Sequence, residues 1–268
     1  MSAIDQTFTE LRAAGRKAFI PFVTAGDPDL EFTRTVVKEL GNRGCSICEL
    51  GIPYSDPIAD GPVIQASYTR ALDKGVKLSE MMKLIGELSS AVTMPLVTMV
   101  SYAIVYRHGL ERYIADAKAA GVSGAIIPDL LVEEADELSA ICRREDFSLI
   151  QLVTPTTPRD RAIRIAETST GFLYYVSVTG ITGERTDLPP ELSDNVSWLR
   201  EQTDLPICIG FGISQPEHVK LLAPAADGLI VGSAIVRRIA EAEDTSREQV
   251  IANVGEYAAS LIAALTAE

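Results

Sequence analysis

Ser46-Ile47-Cys48-Glu49-Leu50-Gly51-Ile52-Pro53-Tyr54-Ser55-Asp56-Pro57-Ile58-Ala59-Asp60-Gly61-Pro62 begins as one kind of structure and ends as another. Ser46–Gly51 reads as a buried strand, with Ile47, Cys48 and Leu50 supplying apolar bulk. Gly51, Pro53 and Pro57 break it into a loop, and a helix follows from Val63. Side chains alternate along a strand, so Ile47, Glu49 and Gly51 share one face and Cys48, Leu50 and Ile52 the other. Glu49 stands inside the apolar run, where an ionised carboxylate is costly without a task or a partner. Asp60 closes the loop and is free to fold back over the strand end. One buried and one loop carboxylate make a candidate acid/base pair. A solvated acidic loop beside one salt-bridged Glu is the alternative at this point.

The same strand–loop–helix unit recurs along the chain. Eight strands are expected, at Ala18–Thr24, Ser46–Gly51, Leu96–Tyr102, Gly124–Pro128, Leu149–Thr154, Phe172–Val178, Pro206–Gly210 and Gly228–Val231. Helical patterns lie between them, at Leu30–Arg43, Val63–Asp73, Ser79–Ala91, Gly109–Ala120, Val132–Arg144, Arg159–Glu167, Glu191–Glu201 and Glu217–Leu222. Ala234–Ala242 and Arg247–Thr266 close the chain, and Met1–Arg16 opens it as an amphipathic helix. Alternating strands and helices imply parallel pairing with crossover connections. The expectation is an α/β fold, a single (β/α)8 TIM barrel over residues 1–268 with an extra N-terminal helix. A Rossmann-like open sheet is the competing arrangement, but no G-x-G-x-x-G follows the first strand.

Composition narrows the function. The formal net charge of −13 argues against nucleic acid, which needs clustered Lys and Arg. No apolar run is long enough to span a bilayer, and the N-terminus lacks a signal peptide's apolar core. The chain therefore reads as a soluble, cytoplasmic-type protein. Two histidines, His108 and His218, leave little for a His-based metal site, and no metal is expected. Cys45 and Cys48 form a C-x-x-C, yet strand positions i and i+3 face opposite ways and Cys142 and Cys208 complete no zinc site.

In a barrel the active site lies at the C-terminal ends of the strands. The loops after strands six to eight carry Gly183, Gly212, Gly232 and Ser233. Glycines let backbone N–H groups approach an anion, and a helix N-terminus adds a favourable dipole. Together these residues suit a phosphate cup, although tight turns alone would also account for the glycines. Thr179–Thr186 suits a mobile lid, with Thr182 as a latch donating to Asp60 on closure. The seven lysines, at 17, 38, 74, 77, 83, 118 and 220, all fall outside the expected strands, which disfavours Schiff-base chemistry.

The stretch from Glu49 to Gly61 resembles the signature of the tryptophan synthase α-subunit family. Phe19-Ile20-Pro21-Phe22-Val23-Thr24-Ala25-Gly26-Asp27-Pro28 is similar to that family's first strand and loop. Gly180–Gly183, Gly210–Ile213 and Gly232–Val236 resemble its later loops. The similarity runs from about Phe19 to Val236. It implies retro-aldol cleavage of indole-3-glycerol phosphate to indole and glyceraldehyde 3-phosphate in tryptophan biosynthesis. On this resemblance Glu49 and Asp60 fall on the catalytic acids. Phe22, Tyr102, Ile127, Asp129 and Tyr174 fall on or beside the indole pocket. Gly183, Phe211, Gly212, Gly232 and Ser233 fall on the phosphate site. The resemblance also implies an αββα heterotetramer with a β subunit that consumes the indole. No cofactor is expected in this chain; pyridoxal phosphate belongs to that partner. Two positions depart from the family pattern, Ala103 where many members carry Asn and Leu131 where many carry Pro. A degenerate docking module and another phosphate-binding barrel, such as an isomerase, are the other function classes.

Overall fold

Parallel strands with helices between them form the architecture of the computed structural model, which describes residues 2–58, 60–177, 190–210 and 212–266. The expected residues Thr182, Gly183 and Phe211 lie outside them. Among the described residues the strands are β1 (Ala18–Thr24), β2 (Cys48–Gly51), β3 (Leu96–Met99), β4 (Val122–Ile126), β5 (Ser148–Ile150), β6 (Leu152–Val153), β7 (Leu173–Val176), β8 (Ile207–Gly210) and β9 (Gly228–Val231). All pair in parallel, in the order β5-β4-β3-β2-β1-β9-β8-β7-β6. The two ends of that order, β5 and β6, are one run of chain interrupted at Gln151, so the ring comes round on itself.

The expected fifth strand is thus two. Its first part pairs with β4 and its second with β7. Between them the Gln151 carbonyl accepts from Tyr174 N (3.0 Å), and its buried side-chain amide donates to Thr168 Oγ1 (2.6 Å). The change of partner ends one ladder and starts the other.

The helices are α1 (Ala3–Ala13), α2 (Leu30–Asn42), α3 (Pro62–Asp73), α4 (Leu78–Ser89), α5 (Tyr102–His108), α6 (Leu110–Ala119), α7 (Asp136–Arg144), α8 (Arg159–Thr168), α9 (Pro190–Arg200), α10 (Pro216–Leu222), α11 (Ser233–Ala240) and α12 (Arg247–Thr266). Helix α5 corrects the expectation that strand three runs on to Tyr102. Ser101 caps it, its Oγ accepting from Ala103 N (3.2 Å), and Gly109 ends it at φ +94°. The expected helix Val132–Arg144 is a 3-10 turn, Val132–Glu134, followed by α7.

Two apolar layers follow from the period-2 alternation of the strands. The outer layer packs Val23, Leu50, Ala125 and Leu149 against the helices. The inner layer joins Ile20, Ile47, Val97, Ile126, Ile150, Cys208 and Ile230 within the ring. Helix α1 seals the N-terminal end of the bore, with Ile4, Phe8 and Leu11 joining the inner layer and Phe8 tilted on Phe172 at 5.8 Å. Ser2 and Asp5 form a capping box, and Ser148 Oγ donates to Ser2 Oγ (3.2 Å), tying that helix to the foot of β5. Asp227 at the same end receives Ile207 N (2.9 Å), Arg200 (3.0 Å) and Arg12 (3.8 Å). Side chains therefore fill the lower bore, and open space is left at the upper end.

Candidate active site

Glu49 stands on the inner face of β2, level with Phe22 on β1 and Val97 on β3. It is 1% exposed, and its Oε2 has no hydrogen-bond partner. Burial disfavours the ionised form, and the charge of Asp60 adds to that, so the carboxyl is pushed up to about 8. The next inner position on the strand is Gly51. A Cβ there would meet the Phe22 ring, with Cε2 at 2.7 Å, and the Tyr68 hydroxyl at 2.9 Å. Only hydrogen fits, and this close approach accounts for the glycine.

Asp60 comes from the loop that leads into α3. Gln65 on α3 holds that loop, its Nε2 donating to the carbonyls of Asp60 (2.7 Å) and Pro57 (3.3 Å). Asp60 is half-buried and its Oδ2 has no partner. Burial raises its carboxyl to about 6; a hydrogen bond from Tyr54 opposes that rise and the nearby charge of Asp129 adds to it. At neutral pH Glu49 is thus mainly protonated and Asp60 mainly ionised. The two acids hold opposite states a short way apart.

They line a cavity of about 190 Å³ at the C-terminal mouth of the bore. Phe22, Ile64, Met99, Leu152, Tyr174 and Ile230 supply apolar walls. Gly212, Ser214, Gly232, Ser233 and Arg237 form the opposite, polar end. Gly212 has φ +76°, a backbone shape that favours glycine, and Gly232 and Ser233 open α11. The first turn of that helix adds backbone N–H groups and a positive dipole end. Arg237 has neither hydrogen bond nor ion pair among the described residues and supplies the cavity's one cation there. A larger depression of about 620 Å³ lies beside Arg238, Glu241 and Tyr257, but it is an open surface groove with no buried acid.

Of the expected residues, Glu49, Asp60, Phe22, Tyr174, Gly212, Gly232 and Ser233 meet at this cavity. Ile127 does not. It packs in the outer layer, because Ile126 takes the inward position and alternation turns its neighbour away. Tyr102 and Asp129 stand off the cavity wall. Asp129 accepts from Tyr102 N (2.7 Å) and Ser101 Oγ (2.7 Å), fixing the start of α5. Among the described residues no cluster of three or more His, Cys, Asp or Glu is placed to hold a metal ion. The reading of the sequence passed over Met99, Leu152 and Ile230, although inward alternation along their strands was signal enough. It also passed over Tyr54, Tyr68 and Arg237, for which a linear pattern carries no signal.

Comparison with known proteins places the whole chain in one family. The family model described as tryptophan synthase alpha chain matches residues 8–265. The tryptophan synthase alpha chain of Rhodopirellula baltica is 60% identical over 250 residues, covering 92% of this chain and 90% of that one. That of Synechocystis is 44% identical over 252 residues, covering 94% and 96%. The crystal structure of tryptophan synthase subunit alpha from Legionella pneumophila str. Paris superposes with a TM-score of 0.91 at 33% identity, covering 99% and 98%. With a match of this extent over the whole ring, the chain belongs to the tryptophan synthase alpha chain family, lyases that cleave indole-3-glycerol phosphate in tryptophan biosynthesis.

Proposed function

We propose that Glu49 and Asp60 carry the cleavage of indole-3-glycerol phosphate, with the indole between the apolar walls and the phosphate at Gly212, Gly232, Ser233 and Arg237. One observation supports this most: a buried and a half-buried carboxyl, raised to about 8 and about 6, each present a buried, unpartnered oxygen at one cavity. Protonated Glu49 delivers its proton to indole C3. The positive charge that develops on the ring is met at N1–H by ionised Asp60. Glu49, now a carboxylate, takes the proton of the glycerol hydroxyl next to the bond. The electron pair of the broken O–H bond becomes the second C–O bond of the aldehyde, and the breaking C–C bond returns its pair to the ring. Indole and glyceraldehyde 3-phosphate leave, and Glu49 is protonated again. The apolar walls keep water from the charged intermediate. Thr182 as latch, and Gly183 and Phe211 at the phosphate, belong to the same proposal through family membership. Ile127, Tyr102 and Asp129 lie outside the cavity lining, and Asp129 acts there by fixing the start of α5.

Glu49→Gln keeps shape and loses only the proton. Its rate of indole release should fall at least about 100-fold, the scale of one acid/base group. A near-normal rate would remove Glu49 from its role.

The partner belongs to this proposal as well. Ile58, Tyr106 and Leu131 are 89%, 70% and 53% exposed, and they lie in the successive segments after β2, β3 and β4, Tyr106 on α5. Apolar side chains on one sector of the rim suit a docking face. We assign it to a β subunit that holds pyridoxal phosphate, in an αββα assembly. This chain needs no cofactor of its own for the steps above. One domain over residues 1–268 and a cytoplasmic location complete the reading. Among the described residues no helix is long and apolar enough to cross a membrane.

A further inference from the structure

Among the described residues four buried side-chain oxygens lack a hydrogen-bond partner: Glu49 Oε2, Asp60 Oδ2, the Tyr68 hydroxyl and the Tyr175 hydroxyl. Tyr175 points into the outer layer. The other three are at one place. Tyr68 lies on α3, is 1% exposed, and its hydroxyl sits over Gly51, the next inner position beyond Glu49. Its ring rests on that of Tyr54 at 5.6 Å, and Tyr54 is the residue that hydrogen-bonds Asp60.

The surroundings hold Tyr68 firmly. Thr24 Oγ1 and Ser67 Oγ share a buried hydrogen bond of 2.6 Å, which ties α3 to the end of β1. Arg70 grips the buried Asp27 with two bonds, 2.8 and 2.6 Å, which ties α3 to the loop beyond β1. Tyr68 falls between these anchors. A buried donor without a protein acceptor, beside acceptors without a protein donor, is a costly arrangement. Its cost makes sense if the bond forms at another stage of the reaction.

We infer that Tyr68 is a positioning residue for the acid pair, its single phenolic O–H donating to a free oxygen of the pair, directly or through one water, when the pair carries its full negative charge. This rests on the roles proposed above for the two acids. Before proton transfer the pair holds one charge, on Asp60. After Glu49 gives up its proton it holds two, in a site that excludes water. Besides Tyr54, two phenols face the pair, Tyr68 on α3 and Tyr174 on β7, and of these the Tyr68 hydroxyl is the one that counts among the buried oxygens without a partner among the described residues. The titratable groups facing its hydroxyl are Asp60, Tyr54 and Glu49.

Tyr68→Phe tests this, because it removes only the unpartnered hydroxyl and keeps the ring between Tyr54 and Gly51. The expected result is a kcat lower by roughly 10-fold to 100-fold, the range of one hydrogen bond to a charged group, with KM within about twofold. The acid limb of the pH–rate profile should move to higher pH, since a donor lost from Asp60 raises its carboxyl. The melting temperature should stay level or rise, as nothing bonded is removed. An unchanged kcat and profile would overturn the inference. So would a lower melting temperature with a reduced kcat and an unmoved limb, which marks a structural role. Glu49→Gln in the same assay keeps the two readings apart. If that variant is fully active, the acid assignment itself has failed; if it is inactive while Tyr68→Phe matches wild type, only the role of Tyr68 has.

Discussion

The two ends of the barrel bore are made from the same strands and treat polar groups in opposite ways. At the sealed end every charge that matters is matched: Asp227 takes one backbone N–H and two arginines, and Ser2 and Asp5 close a capping box. At the open end Glu49, Asp60 and Tyr68 each leave a buried oxygen unmatched among the described residues. The first end is built for stability, the second holds unused hydrogen-bonding capacity for a ligand. Stability and activity should therefore separate on mutation according to which end is touched.

Phe8→Ala strikes the sealed end and should cost about 3–5 kcal/mol of stability, the usual range for a buried ring. Urea unfolding measures it. The rate of indole release by the chains that remain folded should be unchanged; a fall in that rate would mean the ends are coupled. Gly51→Ala strikes the open end. Its Cβ would drive against Phe22 and Tyr68, and overpacking of this kind costs about 1–3 kcal/mol. Here activity should fall as well, because the side chains displaced are those beside Glu49. A stable, fully active alanine variant would show that the inner face of β2 tolerates more movement than the packing implies.

The third test uses pH. Burial raises the Glu49 carboxyl from 4.5 to about 8. Between those values the unfolded chain has released this proton and the folded chain retains it. The folded state binds more protons there, so its stability falls as pH rises from about 4.5 to about 8. Glu49→Gln removes that loss. The variant should melt above wild type at pH 8 and differ least near pH 4. A gap that stays constant with pH would mean Glu49 does not titrate in that window. The smallest effect belongs to the rim: Asp56→Ala changes an exposed side chain bonded, among the described residues, only to Ser55 (2.8 Å), so basal rate should hold within about twofold. Stimulation by added β subunit should weaken, and superimposable titration curves would dismiss this part of the docking face.

Much of the ring was legible in the sequence because alternation along β1 and β2 is clean and Glu49 is conspicuous in an apolar run. The misreadings have local causes. Ile126 and Ile127 are both apolar, so composition cannot say which faces inward; the register against β5 decides it. The expected strand three runs to Tyr102 and leaves the residues up to Gly109 as a loop, because seven residues make too short a helical pattern to stand out until Ser101 and Asp129 cap them. Gln151 interrupts strand five through a change of ladder partner, a long-range event. Tyr68 was hidden in a different way. Its helical spacing says that it is buried, and only the assembled fold shows its hydroxyl reaching the strand that carries Glu49.

The four cysteines are all free and buried, and burial holds their thiols un-ionised, with Cys45 and Cys142 pushed up to about 12. Since the thiolate is the reactive form, the folded chain is nearly silent to a thiol reagent. The four nevertheless sit at different depths. Cys45, Cys48 and Cys142 lie in the layer beneath the helices, whereas Cys208 lies inside the ring. A helix lifting away uncovers the first three, and only a ring that has parted uncovers the last. The protein thus carries its own depth gauge, on which the order of labelling distinguishes a loosened coat from an opened barrel.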